Sequence, residues 1–309
     1  MSNSWTHLVR FIAEEDRQIH IGQVNALTYP DVGLAHRNGE KIEVNLITGS
    51  IYDGIVTNKK LHIRTLLSPL SVDQIPIIRC LGLNYKDHAR EANMPIPDYP
   101  VLFIKPRTAL NGPFPAKINI PKVAQDDTAD YEAELSFIIG KDGKDIAESE
   151  ALEYVLGYTA SNDVSARTEQ LRNSQWCFGK GICAQSTKHE FLSNLLTSWF
   201  LTGMDGSCPI GPVLVSGKAL VNPEALQIKA IYNSNVVQDS NTREMIFGIA
   251  KTISFLSQGT TLERGTIIMT GTGPGIGMTR DPRIVLRHGD VMEVFIEGIG
   301  TLLNEVVYE

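Results

Sequence analysis

The chain has 309 residues, of which 42% are hydrophobic and 20% charged, and its formal net charge is −7. It is long enough to bury a real core as one large domain or as a large and a small one, and it has no run of Lys and Arg to offer nucleic acid. No apolar stretch approaches the roughly 18 residues of a membrane span, and the start of the chain, with Glu14, Glu15 and Asp16, reads as neither a secretory nor a transit peptide, so a cytosolic protein without membrane contact is expected.

Residues 5 to 72 read as short alternating strands, at 7–11 and 19–22, punctuated by Asn38-Gly39 and Asp53-Gly54. A small β-rich N-terminal domain, 1–73, is expected, with its boundary near 71–76. The second unit, 77–309, opens on a buried strand at 77–82 that ends in Cys80-Leu81-Gly82. Asn84 is placed to cap a short helix over 85–93, which must end before Pro95. Strands follow at 101–104 and 133–140. Residues 148–158 suit a helix running into a strand, and 242–257 have helical spacing through Ile246, Ile249, Ile253 and Leu256. Strands at 266–270, 291–296 and 301–307 close the chain. Strands outnumber helices without regular alternation, so the expected class is α+β with a β-rich core and not a doubly wound sheet. Cys80, Cys177, Cys183 and Cys208 form no C-x-x-C pair, which argues for free thiols.

The chemistry concentrates in three carboxylates. Glu132 and Glu134 are two apart, so on a strand they share a face roughly 7 Å from one another. Like charges so placed repel unless a cation stands between them. Asp163 follows the apolar 155–158 and sits where a strand end can aim it into a site. An E-x-E pair alone is more often a solvated strand face; the apolar setting of Glu134 argues for a site. An oxygen-only set without Cys or His prefers Mg²⁺, Mn²⁺ or Ca²⁺ over Zn²⁺. On the short helix, His88 and Glu91 are three apart and share a face, so Glu91 can orient His88 as a general base for water. Taken alone, an exposed helix pair would look the same. Lys180 lies between Gly179 and Gly181, but the P-loop spacing fails. The glycine-rich stretch 270–277 does not match the dinucleotide fingerprint; as a loop after a strand it can present backbone N–H groups to a carboxylate.

Together these motifs resemble the fumarylacetoacetate hydrolase family. In order they are G-L-N-Y-x-x-H-x-x-E at 82–91, P-x-L-F-x-K-P at 100–106, D-Y-E-x-E-L at 130–135 and N-D-V-S-A-R at 162–167. Then come Q-W-x-x-G-K at 175–180, P-x-G-P at 209–212, Q-D-x-N-T-x-x-M-I-F at 238–247, T-G-T at 270–272 and G-D-x-x-E-V at 289–294. The resemblance implies the family's mixed β-sandwich roll and a homodimer. It implies Mg²⁺ or Mn²⁺ on Glu132, Glu134 and Asp163, with His88 and Glu91 as the water-activating pair and Lys180 as the active-site lysine. Arg167, Gln170 and Thr272 match substrate-contacting positions. The implied substrate is a small 2-oxo acid or 1,3-dicarbonyl compound. Cleavage beside the 2-oxo group leaves an enolate, whose charge a divalent cation and Lys180 would stabilise. Hydrolysis of an acylpyruvate-like or fumarylacetoacetate-like substrate is the first expectation. Oxaloacetate-type decarboxylation or keto–enol isomerisation is the second, and a metal- and ligand-binding member without turnover the third.

Two departures stand out. Gly273 occupies the place after T-G-T where the family usually has Pro, and 182–203 intervene where the family runs almost directly from G-K to P-x-G-P. Joining Gly181 to Met204 restores a family-like sequence. The segment reads as a translated, unspliced short intron: Gly181-Ile182-Cys183 can be encoded with a GT donor, Leu195-Leu196-Thr197 with a CTAAC-like branch point, and Leu201-Thr202-Gly203 with an AG acceptor in phase. A lid helix is the competing reading, because 191–201 are apolar.

Overall fold

A computed structural model describes residues 4–172, 176, 180 and 204–309. The segment 182–203 lies outside the described residues, and with it both the lid and the intron readings; Cys177 and Cys183 lie outside them too. No helix among the described residues is long and apolar enough to cross a membrane.

The centre of the fold is strand Ala133–Ile139, buried at every position. Its odd-numbered side chains, such as Leu135 and Phe137, join the larger core cluster, whereas Ile138 joins a second cluster with Cys80, Ile210 and Met269. A strand covered on both faces reads as a continuous apolar run, which is why the Glu134 between those residues stands out. Its neighbours are Val155–Asn162 on one side and Ile267–Thr272 on the other, both antiparallel. The sheet continues through Ile78–Gly82, parallel to Ile267–Thr272, to the edge strand Val101–Lys105. In the other direction Cys208–Ser216 joins it to His7–Ala13, so the N-terminal strands extend the same 11-stranded sheet. A separate five-stranded sheet, including Gln227–Tyr232 and Val291–Ile296, packs its Ile228 and Val294 into the larger cluster. The architecture is the β-rich α+β class read from the sequence.

Four short helices interrupt the sheets: α1 (Val32–Arg37), α2 (Lys86–Glu91), α3 (Arg167–Leu171) and α4 (Ile249–Ser257). Three expectations needed correction. The helical spacing at 242–257 yields only a 3-10 turn, Thr242–Glu244, and then α4. Asn84 is the cause: its Oδ1 accepts from Phe247 N at 2.9 Å and its Nδ2 donates to Phe247 O at 3.1 Å, which pulls the chain out of helix before Gly248. For the same reason Asn84 does not cap α2, whose N-cap is Tyr85. Likewise 148–158 begins as a 3-10 segment, Glu148–Tyr154, before its strand.

Candidate active site

Two strand ends and one turn assemble the carboxylates. The ladder between Ala133–Ile139 and Val155–Asn162 is prolonged by Asp163, whose N–H donates to Glu132 O at 3.0 Å, while Asn162 Oδ1 accepts from Glu132 N at 3.1 Å. Opposite, the register against Ile267–Thr272 shifts between Glu134 and Ser136, the kind of bulge that re-aims a side chain beside a site. The result brings Glu132, Glu134 and Asp163 together: one oxygen of each lies within 4.8 Å of the others, and all three residues are buried.

Three buried cations face them. Lys180 Nζ donates to Glu132 Oε2 at 2.6 Å and to Asp163 Oδ2 at 2.8 Å. Arg167 Nη1 contacts Glu132 Oε1 at 2.7 Å and donates to Gln170 Oε1 at 2.9 Å, while its Nε donates to Asp130 Oδ2 at 2.8 Å. Arg167 thus locks Glu132 and Gln170 into one frame. Lys105 was not singled out from the sequence. Its Nζ lies 2.8 Å from Asp163 Oδ1, yet its three hydrogens go to Val164 O, Ser207 O and Ser207 Oγ at 3.0, 2.9 and 3.0 Å. The contact with Asp163 is therefore charge against charge, without a hydrogen bond. The signal was present: Lys105 is two residues after Phe103 on a strand, so the two share the buried face.

Burial opposes the charged form of Glu132, but Lys180 and Arg167 outweigh it and hold this carboxyl at about 2. Glu134 moves the other way. Burial first, then the charges of Asp163 and Glu132, push it well above the usual carboxylate range. For Lys180, burial lowers the pKa, and Asp163 and Glu132 overcome that and raise it. Two carboxylate oxygens, Glu134 Oε1 and Asp163 Oδ1, are buried with no hydrogen-bond partner among the described residues. Orphaned buried oxygens are costly. Converging from two hard ligands in an oxygen-only set, they fit a divalent cation.

The glycine-rich loop does present its N–H groups to carboxylates, and they are the protein's own. Gly271 N donates to Glu134 Oε2 at 2.7 Å, Gly275 N to Glu91 Oε1 at 3.0 Å and Gly277 N to Asp130 Oδ1 at 2.7 Å. Gly271 has φ +88°, and a Cβ there would come within 3.0 Å of Asn84 Cβ and Leu81 O. A Cβ at Gly273 would meet Ser240 Cβ at 2.7 Å, which gives the departure from Pro a packing reason. Thr272 is buried, its Oγ1 accepting from Gln238 Nε2 at 2.8 Å and donating to Ala133 O at 2.9 Å. On α2, His88 Nδ1 lies 3.2 Å from Glu91 Oε2. Asp87 secures that helix, accepting from His88 N at 2.9 Å and from Ser240 Oγ at 2.5 Å.

The family model for the fumarylacetoacetate (FAA) hydrolase C-terminal region matches residues 77–188 and 185–307. The chain belongs to the fumarylacetoacetate hydrolase family. Along its whole length it is 43% identical to a caffeoylpyruvate hydrolase of Neonothopanus nambi, of which it covers 96%. It is 37% identical, over 79% of its own length and 68% of the relative's, to the mitochondrial oxaloacetate tautomerase fahd2 of Xenopus laevis. Among solved structures, the fumarylacetoacetate hydrolase of Exiguobacterium antarcticum superimposes with a TM-score of 0.71 at 30% identity, covering 98% of this chain and 100% of that one. Within this family the motifs at 130–135, 162–167 and 270–272 fall on the buried strands and turns just described.

Proposed function

We propose that the protein hydrolyses a carbon–carbon bond of an acylpyruvate-like 2-oxo acid, with Mg²⁺ (Mn²⁺ or Ca²⁺ as substitutes) held by Glu132, Glu134 and Asp163. The observation that carries the proposal is the loop 271–277, which holds both halves of the chemistry. Gly271 N binds Glu134 of the carboxylate cradle and Gly275 N binds Glu91 of the His88 pair. Four residues of extended chain reach roughly 14 Å at most, so one short loop ties the helix of the base to the cradle. The similarity to a caffeoylpyruvate hydrolase supports the same reaction.

A divalent cation in the cradle would supply Lewis-acid charge beside the 2-oxo acid group. The chain's own residues do the rest. Glu91, fixed by Gly275, accepts from Nδ1 of His88 and leaves Nε2 as the basic nitrogen. His88 takes a proton from water, and the oxygen adds to the distal carbonyl. The C–C bond then breaks to give a carboxylic acid and the enolate of pyruvate. His88 returns its proton to the enolate carbon, and the acid releases its own to solvent. Among the described residues Lys180 gives two of its three hydrogens to Glu132 and Asp163, and in this proposal the third goes to the developing enolate oxygen. Arg167 and Gln170 keep Glu132 aimed, and Thr272 with Gln238 braces the strand beside the cradle.

The likeness to an oxaloacetate tautomerase favours one second reading, a proton shift or decarboxylation that needs no water. Purified protein assayed on acylpyruvates and on oxaloacetate, with Mg²⁺ and with chelator, separates the readings. Metal-dependent release of pyruvate from an acylpyruvate is the expected result. Turnover of oxaloacetate alone would replace the hydrolase reading, and no metal-dependent turnover of either would leave a ligand-binding member. The division into 1–73 and 77–309, the homodimer and the cytosolic placement belong to the same proposal. The family match starting at residue 77 supports the division, and chromatography and cell fractionation test the other two.

A further inference from the structure

A cleft of about 140 Å³ opens one side chain away from the cradle. Asp130 and Arg167 line it, and Arg167 is the residue that grips Glu132 Oε1 at 2.7 Å, so one buried side chain joins the wall of the cleft to the cradle. Its remaining wall is largely apolar: Leu171 from α3, then Met278, Ile284 and Val285. The acidic charges beside it are already spent. Asp130 is bound by Arg167 and by the N–H groups of Gly277 and Met278, at 2.7 and 3.1 Å for the latter two. Asp127 pairs with Arg287 at 3.0 Å. A second carboxylate on a substrate would meet two acidic side chains and lose its water inside the cleft, where the remaining cation, Arg283, stands exposed at the rim and still in water. An apolar group would displace poorly held water at no such cost, and an apolar cavity of 150 Å³ takes one benzene ring.

From this we infer that the cleft takes the acyl tail of the substrate, and that the tail is apolar and no larger than about one aromatic ring or a short alkyl branch. This deepens the acylpyruvate reading and rests on it. Exposed Arg283 stands at the rim, where its guanidinium can lie over the face of a ring. Leu171, Met278, Ile284 and Val285 then set specificity without touching the reacting atoms.

The test compares benzoylpyruvate, acetylpyruvate and fumarylpyruvate on the Mg²⁺-loaded full chain. Benzoylpyruvate should exceed acetylpyruvate in kcat/KM by about tenfold or more, the scale that a hydrophobic pocket achieves, and fumarylpyruvate should be poorest. Met278→Trp fills the cleft. It should cut the benzoyl-to-acetyl ratio about tenfold, mainly through KM, with the Mg²⁺ affinity of the wild type as the check on folding. Val285→Phe fills the cleft from the adjacent wall and serves if the first variant does not fold. An unchanged ratio in a folded variant, or a preference for fumarylpyruvate, overturns the assignment. If no acylpyruvate is hydrolysed, the hydrolase reading fails separately, and calorimetry still reads the cleft. Tighter binding of benzoylpyruvate than acetylpyruvate, lost in Met278→Trp, upholds the subsite, and equal binding removes it.

Discussion

Glu134 is the residue on which the site turns, and the structure makes it an unstable resident. The N–H of Gly271 and the charge of Lys180 favour it, but burial and the charges of Asp163 and Glu132 outweigh them, and its second oxygen has no partner among the described residues. Glu134→Ala is therefore expected to lower divalent-cation affinity by at least about 100-fold, more than the loss of an outer-shell partner costs. Its melting temperature in chelator should change little, because crowding among the three carboxyls is relieved while Gly271 N–H loses its acceptor. Calorimetric Mn²⁺ titration and thermal unfolding in EDTA check both, and unchanged metal affinity would refute the site. Lys105→Met should lower stability. It removes one of the two buried lysines that neutralise Asp163 and leaves Val164 O without its lysine donor, a loss of about 3–5 kcal/mol in denaturant unfolding. The difference in legibility between these residues is physical. Three carboxylates in apolar surroundings announce themselves, because nothing but a cation or a partner explains them. A single lysine on an edge strand looks like ordinary edge protection, and only its two-residue spacing from Phe103 shows that it points inward.

Helix α2 carries the only base among the proposed functional groups, and six residues give it little strength of its own. Its placement comes from outside: Ser240 binds Asp87, Gly275 binds Glu91, and Ile246 N donates to Asn84 O at 2.7 Å just ahead of the helix. His88→Ala should cut acylpyruvate hydrolysis by about 10²–10⁴, the usual worth of a general base, while leaving Mg²⁺ affinity intact. Any water-independent conversion of oxaloacetate should survive, and a parallel loss of both activities would count against His88 as the base for water. Asp87→Ala unties the helix without touching the chemistry. A cost of about 1 kcal/mol in stability is expected, with kcat lowered and metal affinity retained. The periodicity at 242–257 could not reveal this dependence. Long-range hydrogen bonds from Asn84 broke the helix that local spacing favoured, because tertiary bonds made by a buried amide outweigh a propensity worth tenths of a kcal/mol per residue.

At the scale of the molecule, a bound metal would link the site to the stability of the sheet, since all three candidate ligands stand on its central strands or at their ends. Mg²⁺ at about 100 times its Kd should add roughly 2.7 kcal/mol, a rise of about 5 °C in melting temperature, absent in Glu134→Ala. The overall order of strands was legible because alternation and turn residues mark each one; the joining of the N-terminal strands to the central sheet was not, because it rests on two residue pairs, His7 with Val215 and Leu8 with Leu214. The segment 182–203 poses the remaining question for the whole chain. The family match is broken into two parts that meet at 185–188, inside this segment. Geometry permits its removal. Lys180 reaches Asp163, and Ser207 holds Lys105 against the same carboxylate, so both flanks converge on one charge cluster. Joined directly, Gly181, Met204, Asp205 and Gly206 would connect Lys180 to Ser207 over roughly 17 Å of extended chain, enough for both contacts to persist. Deleting 182–203 is therefore expected to preserve Mg²⁺ binding and to raise acylpyruvate turnover above that of the full chain, and spliced transcripts should lack the corresponding stretch. If mature mRNA retains it uniformly and the deletion abolishes turnover, the segment is part of the working enzyme, and the lid reading replaces the intron.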